Sequence, residues 1–234
     1  MTQVILPPLM SGLAVGGAID PFVTACAKAS LGCDAGLMAY NISLDRLGAA
    51  LVFAPDVRLS EAMTMLPLCG VGLQNALGSL APPEVAVHLG WSGDIHVNGA
   101  RCGQFRVTAS SDESTALPDW LVVGFEIPLL STTRNPGDDI EATALYEEGC
   151  AGVEPVTLIE SWARHTLNWI ARWEAEGSRS LHAEWRGIAQ GIGEPVQFGE
   201  RSGTFLGIDE NFGMLLREGD ETHLFPLTTL LQSS

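Results

Sequence analysis

A chain of 234 residues with 46% hydrophobic and 17% charged side chains can bury a sizeable core, which excludes global disorder. Its formal net charge of -16, without a single basic run, excludes a surface that tracks nucleic-acid phosphates. No window approaches the roughly eighteen uninterrupted apolar residues of a membrane span.

The cysteines Cys26, Cys33, Cys69, Cys102 and Cys150 are scattered, odd in number and form no C-x-x-C pair. Neither a disulfide framework nor a zinc knuckle is expected, and reduced thiols in a cytoplasmic protein are. The apolar stretch Val4–Val15 has no basic segment before it and is broken by Pro7 and Pro8, so a signal peptide is not expected. Of the 12 basic residues only Lys28 is lysine. Any chemistry that needs a lysine must use Lys28 or do without.

In chain order, Asp20-Pro21 opens the first predicted helix, with the carboxylate as cap and proline at the first helical position, and the helix runs to Ser30. Gly36–Tyr40 and Ala49–Ala54 read as strands joined by a loop over Asn41–Gly48. Ser60 is expected to cap a helix to Leu80, which Pro82-Pro83 ends. Val85–Leu89, Ile95–Val97 and Ala100–Thr108 form a meander. Its Asn98-Gly99 is a type I′ hairpin signal, because both positions of that turn need positive φ. Trp120–Leu129 is a further strand, and the acidic Arg134–Gly152 reads as a surface excursion. Thr157-Leu158-Ile159-Glu160 fits a capping box opening a helix to Glu176, with Ile159, Trp162, Ala163, Thr166, Ile170 and Trp173 on its core face. A shorter helix covers Leu181–Ala189. After Gly191 the texture changes to short strands, Pro195–Phe198, Gly203–Ile208, Gly213–Arg217 and His223–Pro226, as in a small SH3-like barrel. The fold class is therefore α+β, with a core domain over 1–190 and a small β domain over 191–234.

Neither G-x-G-x-x-G nor G-K-[ST] occurs, which removes a Rossmann or P-loop phosphate cradle, and no G-x-S-x-G elbow exists. The histidines show no H-x-x-x-H spacing, so no metal site is expected, although His88 and His96 can meet across neighbouring strands.

The informative segment is Trp91-Ser92-Gly93-Asp94-Ile95-His96-Val97-Asn98-Gly99-Ala100-Arg101-Cys102-Gly103. Period-2 alternation places Arg101, Gly103 and Phe105 on one face and Cys102, Gln104 and Arg106 on the other. A glycine beside a cation lets a ligand or a backbone approach closely. This arrangement resembles the biotin–protein ligase and lipoate–protein ligase superfamily, in which W-P-N-D leads through a hairpin to K-x-x-G on the strand that floors the ligand site. Trp91 and Asp94 match, Ser92 and Gly93 replace proline and asparagine, Arg101 stands in the lysine position, and Gly103 falls one residue early. Trp120–Pro128 resembles the family strand ending in G-x-G-x-N, with Gly124 matching, Glu126 in place of the second glycine and Pro128 in place of asparagine. The resemblance spans Gly32–Leu231, and the nearest relatives it suggests are uncharacterised bacterial proteins with a small terminal domain.

The resemblance implies an acyl ligand of the biotin or lipoate kind, ATP as co-substrate, and transfer of the acyl group to a lysine of a carrier domain. The implied ligand-binding residues are Arg46, Gly48, Trp91, Asp94, Arg101, Gly103 and Gly124, with Arg101 in the catalytic place of the lysine. The family's long glycine- and arginine-rich loop corresponds to the short Tyr40–Gly48, which offers only Arg46. No helix-turn-helix precedes the core, so repressor activity is not implied.

Arginine keeps the positive charge but not the compact ammonium, so ligand binding is expected to survive better than turnover. A ligase or acyltransferase-like enzyme and a non-catalytic sensor or carrier-protein module both follow, as a monomer or homodimer. Each predicts an apolar slot with one cationic end. A cysteine-using transferase would instead place its nucleophile at Cys102.

Overall fold

The computed structural model describes residues 4–131 and 142–232. Eleven strands and five helices follow one another as β1 (Ser11–Ala14), α1 (Pro21–Ser30), β2 (Leu37–Ile42), β3 (Arg46–Phe53), α2 (Leu59–Ala62), α3 (Met65–Leu80), β4 (Val87–Leu89), β5 (Asp94–Val97), β6 (Ala100–Ala109), β7 (Leu121–Pro128), α4 (Pro155–Glu176), α5 (Arg179–Gly187), β8 (Pro195–Phe198), β9 (Arg201–Ile208), β10 (Met214–Glu218) and β11 (Glu221–Phe225). Strands one to seven form a single sheet in the order β1-β2-β3-β7-β6-β5-β4, and the last four form an antiparallel meander in the order β11-β10-β9-β8. The fold is α+β, with a small barrel-like unit at the C-terminal end.

Alternation in the central strands sorts the sheet into two unlike faces. Leu47, Ala49 and Leu51 of β3, with Val123, Phe125 and Ile127 of β7, join the main core under α3 and α4. Helix α3 is apolar on nearly every side, as a helix buried between a sheet and another helix must be. At Gly72 a Cβ would lie 2.7 Å from the Thr166 hydroxyl, so glycine is what lets α3 and α4 approach. Trp162 lies at the centre, fully buried, edge-on to Phe125 at 4.8 Å and donating its indole N–H to the Cys69 carbonyl at 3.0 Å.

The opposite face is covered only in part, by α1, whose Phe22, Ala25 and Ala29 pack on Ala39, Ala50, Val52 and Val122. Small side chains on both sides bring α1 close. At Gly124 of β7 a Cβ would meet the Ala50 Cβ at 2.7 Å and the Phe22 ring at 2.9 Å.

Several elements differ from their sequence expectation. The Asn41–Gly48 segment is almost all strand, because β2 and β3 extend to a tight turn over 43–45, and Arg46 therefore stands on β3 rather than in a loop. Strand β1, parallel to β2, carries no alternation to reveal it. The helix expected from Ser60 is broken into α2 and α3 around Met63 and Thr64. Helix α4 begins with Pro155 at its first position, after Glu154, and no side chain caps it, so the capping box is not used. Residues 134–141 of the expected acidic excursion lie outside the described residues. Its remainder is packed, with Ala144, Leu145 and Cys150 buried and Thr143 donating to the Arg101 carbonyl at 2.9 Å.

Candidate ligand cavity on the α1 face of the sheet

The residues of interest meet on the half of the α1 face that α1 leaves open. Gly48 faces Glu126 across β3 and β7, Glu126 faces Gln104 across β7 and β6, and Arg106 faces Gly124. Directly paired residues share a face, so Arg46, Gly48, Glu126, Gln104 and Arg106 form one polar floor.

Strand β6 joins this floor through a β-bulge. The register with β5 slips between Asp94 and His96, and Gly103, at φ 141°, lies so close to the Glu126 carbonyl that no Cβ fits. The extra residue inverts the expected alternation. Arg101 shares the face of Gln104 and Arg106, whereas Cys102 and Phe105 point together into the core. Burial pushes the Cys102 thiol up to about 12, which makes it a packing residue rather than a nucleophile. The Asn98-Gly99 turn has the positive φ values its sequence demands, 52° and 92°. Glu148 holds that hairpin by accepting from Asn98 at 2.9 Å and from Thr143 at 2.6 Å.

A cavity of about 290 Å³ opens where this floor meets the start of α1, lined by Asp20, Asn41, Asp45, Arg46, Gly48 and Glu126 among others. Three carboxylates and one guanidinium give it an acidic character, beside the apolar Ala18, Ile19 and Pro21. The expected apolar slot with a cationic end is matched only by Arg46 and these few apolar side chains, since the carboxylates outnumber the guanidinium.

Each arginine on this face has a carboxylate partner. Arg106 grips Asp20 with both terminal nitrogens at 2.8 Å and lies 4.5 Å from the centre of the Phe22 ring. Asp20 also caps α1 by accepting the Phe22 N–H at 2.8 Å. Burial pushes the Asp20 carboxyl up, but the Arg106 and backbone hydrogen bonds outweigh it and hold the group below its ordinary value. Arg101 donates through Nε to Asp94 at 2.5 Å and through a terminal nitrogen to Gln104 at 2.7 Å. It does not line the cavity. Arg46, on the cavity wall, touches Glu126 by one long contact of 3.5 Å, with both side chains exposed. A triphosphate therefore meets no cation without a carboxylate neighbour on this face among the described residues, and only Arg46 is loosely held.

Of the residues singled out in the sequence, Arg46 and Gly48 line the cavity, and Asp94 and Arg101 stand on the same face as a closed pair. Gly103 shapes the bulge, and Gly124 admits α1. Trp91 lies elsewhere. It is buried at the junction with the terminal unit, donating its indole N–H to the Phe212 carbonyl at 2.7 Å and packing edge-on to Phe198 at 5.2 Å. Asp20, Asn41, Asp45 and Arg106 complete the site. Asp20 was visible in the sequence as a helix cap, but nothing there pairs it with Arg106, 86 residues away.

A model of the biotin/lipoate A/B protein ligase family matches residues 6–187, and a domain of unknown function (DUF4444) matches residues 192–233. Among solved structures the chain is similar to a biotin protein ligase-like protein of unknown function from Silicibacter sp. TM1040. The two are 56% identical with a TM-score of 0.93, over 99% of this chain and 100% of that one. It is similar in fold to biotin protein ligase from Aquifex aeolicus, at 13% identity and a TM-score of 0.74, over 93% of this chain and 95% of that one. The same holds for the Leishmania major enzyme in complex with biotinyl-5-AMP, at 15% identity and a TM-score of 0.58, over 94% and 99%. No curated protein matches the chain.

Proposed function

Because the chain belongs to the biotin/lipoate A/B protein ligase family, we propose that it binds a small carboxylate of the biotin, lipoyl or acyl type in the sheet-face cavity and does not adenylate it. The observation that carries this reading is the unequal engagement of the three arginines. An exposed ion pair is worth at most about 1 kcal/mol, and the single 3.5 Å contact to Glu126 is a poor example of one. A ligand carboxylate can accept from Arg46 through two parallel bonds and so displace Glu126. Gly48 leaves the strand beside it without a side chain, and Asn41, Asp45 and Asp20 favour neutral N–H or O–H groups along the rest of the wall.

Arg101 occupies the place of the family lysine but would have to release both Asp94 and Gln104 to reach a ligand. Its planar fork also cannot reproduce a compact ammonium at a reacting carbonyl. Among the described residues Arg101 and Arg106 are held by carboxylates at short range, and Arg46 is taken up by the ligand carboxylate in this reading, which leaves no further arginine of this face for the phosphates of ATP. In this reading residues 1–190 are the ligand-binding domain, and residues 191–234 form a second domain held on by Trp91.

Calorimetric titration with biotin, lipoate and octanoate tests the proposal. At least one is expected to bind, Arg46→Ala to weaken it by about tenfold, and Arg101→Ala to weaken it less. ATP–pyrophosphate exchange is expected to be absent with all three. Robust exchange would restore the ligase reading, and binding that ignores Arg46→Ala would remove the site.

A further inference from the structure

A second cavity, of about 410 Å³, lies at the far end of β3 from Arg46, between the turn after Phe53 and the C-terminal half of α4. It is independent of the site proposed above. Its wall is apolar: Leu51, Phe53, Met65, Leu167, Ile170 and Trp173 line it. This volume falls within the range of small-molecule pockets, roughly 300–1,000 Å³. Trp173 is fixed as a wall by its indole N–H, which donates to the Ser178 hydroxyl at 3.1 Å.

Two further observations concern the rim. Leu9 is held at φ 72°, a left-handed conformation that costs a leucine roughly 1–2 kcal/mol per residue in the L-series. It is also 86% exposed, so its side chain gains nothing from burial. The turn that holds it is anchored on Gly36, where any Cβ would collide with the Leu9 carbonyl, and Gly36 in turn donates to the Val52 carbonyl at 2.8 Å. Strain kept at the mouth of a cavity is a signature of sites rather than of packing. The second observation is charge. Among the described residues Asp56 and Glu174 are the charged ones that line the cavity, both are exposed, and none that lines it is basic.

We propose that this cavity is a binding site for a small primary amine with an apolar body, of the arylalkylamine class, with Asp56 and Glu174 receiving the ammonium group. An apolar body removes Phe53, Ile170 and Trp173 from water, while the rim carboxylates select its charge. A carboxylate of the same shape meets two like charges, with no cation beside them among the described lining residues, and is disfavoured. The net charge of -16 acts in the same direction by raising the local concentration of cations.

The probe is 2-phenylethylamine, titrated calorimetrically beside its neutral and anionic counterparts, 2-phenylethanol and 3-phenylpropionate. Saturable binding is expected for the amine, about two- to fivefold weaker for the alcohol, and weaker again by about the same factor for the acid. Glu174→Gln combined with Asp56→Asn changes only exposed positions and is expected to erase the preference for the amine over the alcohol. Ile170→Trp fills the cavity and is expected to abolish binding of both, while leaving the thermal unfolding of the chain cooperative, which shows that the variant is folded. Failure of the amine to bind, equal binding of the acid, or indifference to Ile170→Trp in a folded variant would each overturn the proposal, whatever the fate of the Arg46 site.

Discussion

The two faces of the seven-stranded sheet come from the same strands, and they are opposites. Toward α3 and α4, alternate residues of β3 and β7 are large, apolar and fully buried, ending on Trp162 and Phe125. Toward α1, the intervening residues are Gly48, Ala50 and Gly124, followed by Arg46 and Glu126 once the helix ends. Large side chains on the first face close it. Small ones on the second admit one helix and leave the remaining floor polar and open. A period of two thus writes a core and a site into the same eight-residue strands, and the glycine on each strand decides how closely the helix approaches.

The largest expected effect of breaking this contrast lies on the closed face. Trp162→Ala removes a fully buried ring and leaves the Cys69 carbonyl without its donor, and should cost about 3–5 kcal/mol in urea unfolding. On the α1 face the failure is one of excess. Gly124→Ala puts a methyl group against Ala50 and Phe22 and should cost about 1–3 kcal/mol, with α1 the first segment to lose amide-exchange protection. The smallest effect sharpens the comparison through pH. The Asp20 carboxyl is held below its ordinary 3.8 in the folded chain, so its stabilising contribution is complete above that value and is lost as pH falls below it. Asp20→Asn keeps a good helix cap while removing the charge. It should therefore be slightly less stable than the parent near neutrality, and the gap should close on acidification through and below pH 3.8, as followed by thermal unfolding. A gap that stays constant in acid would mean that Arg106 does not depend on the Asp20 charge.

Legibility from sequence tracked the range of the interaction that decides each feature. Helix α1, with Asp20 as cap and Pro21 first, and the Asn98-Gly99 hairpin were readable because a few adjacent residues set them by sterics and local hydrogen bonds. The bulge at Gly103 was not, although its glycine was noticed, because the slip is set by the Glu126 carbonyl on the neighbouring strand. That single unread residue reversed the predicted face of Arg101 and moved Cys102 into the core. Trp91, expected among the ligand-binding residues, has its partners Phe198 and Phe212 more than a hundred residues on, in the terminal unit.

What the sequence determined by itself was the class of fold, the order of most of its elements, the presence of a single lysine, and the excess of acid over base. The tertiary structure alone decided where those charges went. Pairing Arg106 with Asp20, Arg101 with Asp94 and Arg46 with Glu126 depends on distances between strands and on the end of a helix. Coulomb attraction falls off with separation in space and takes no account of separation along the chain.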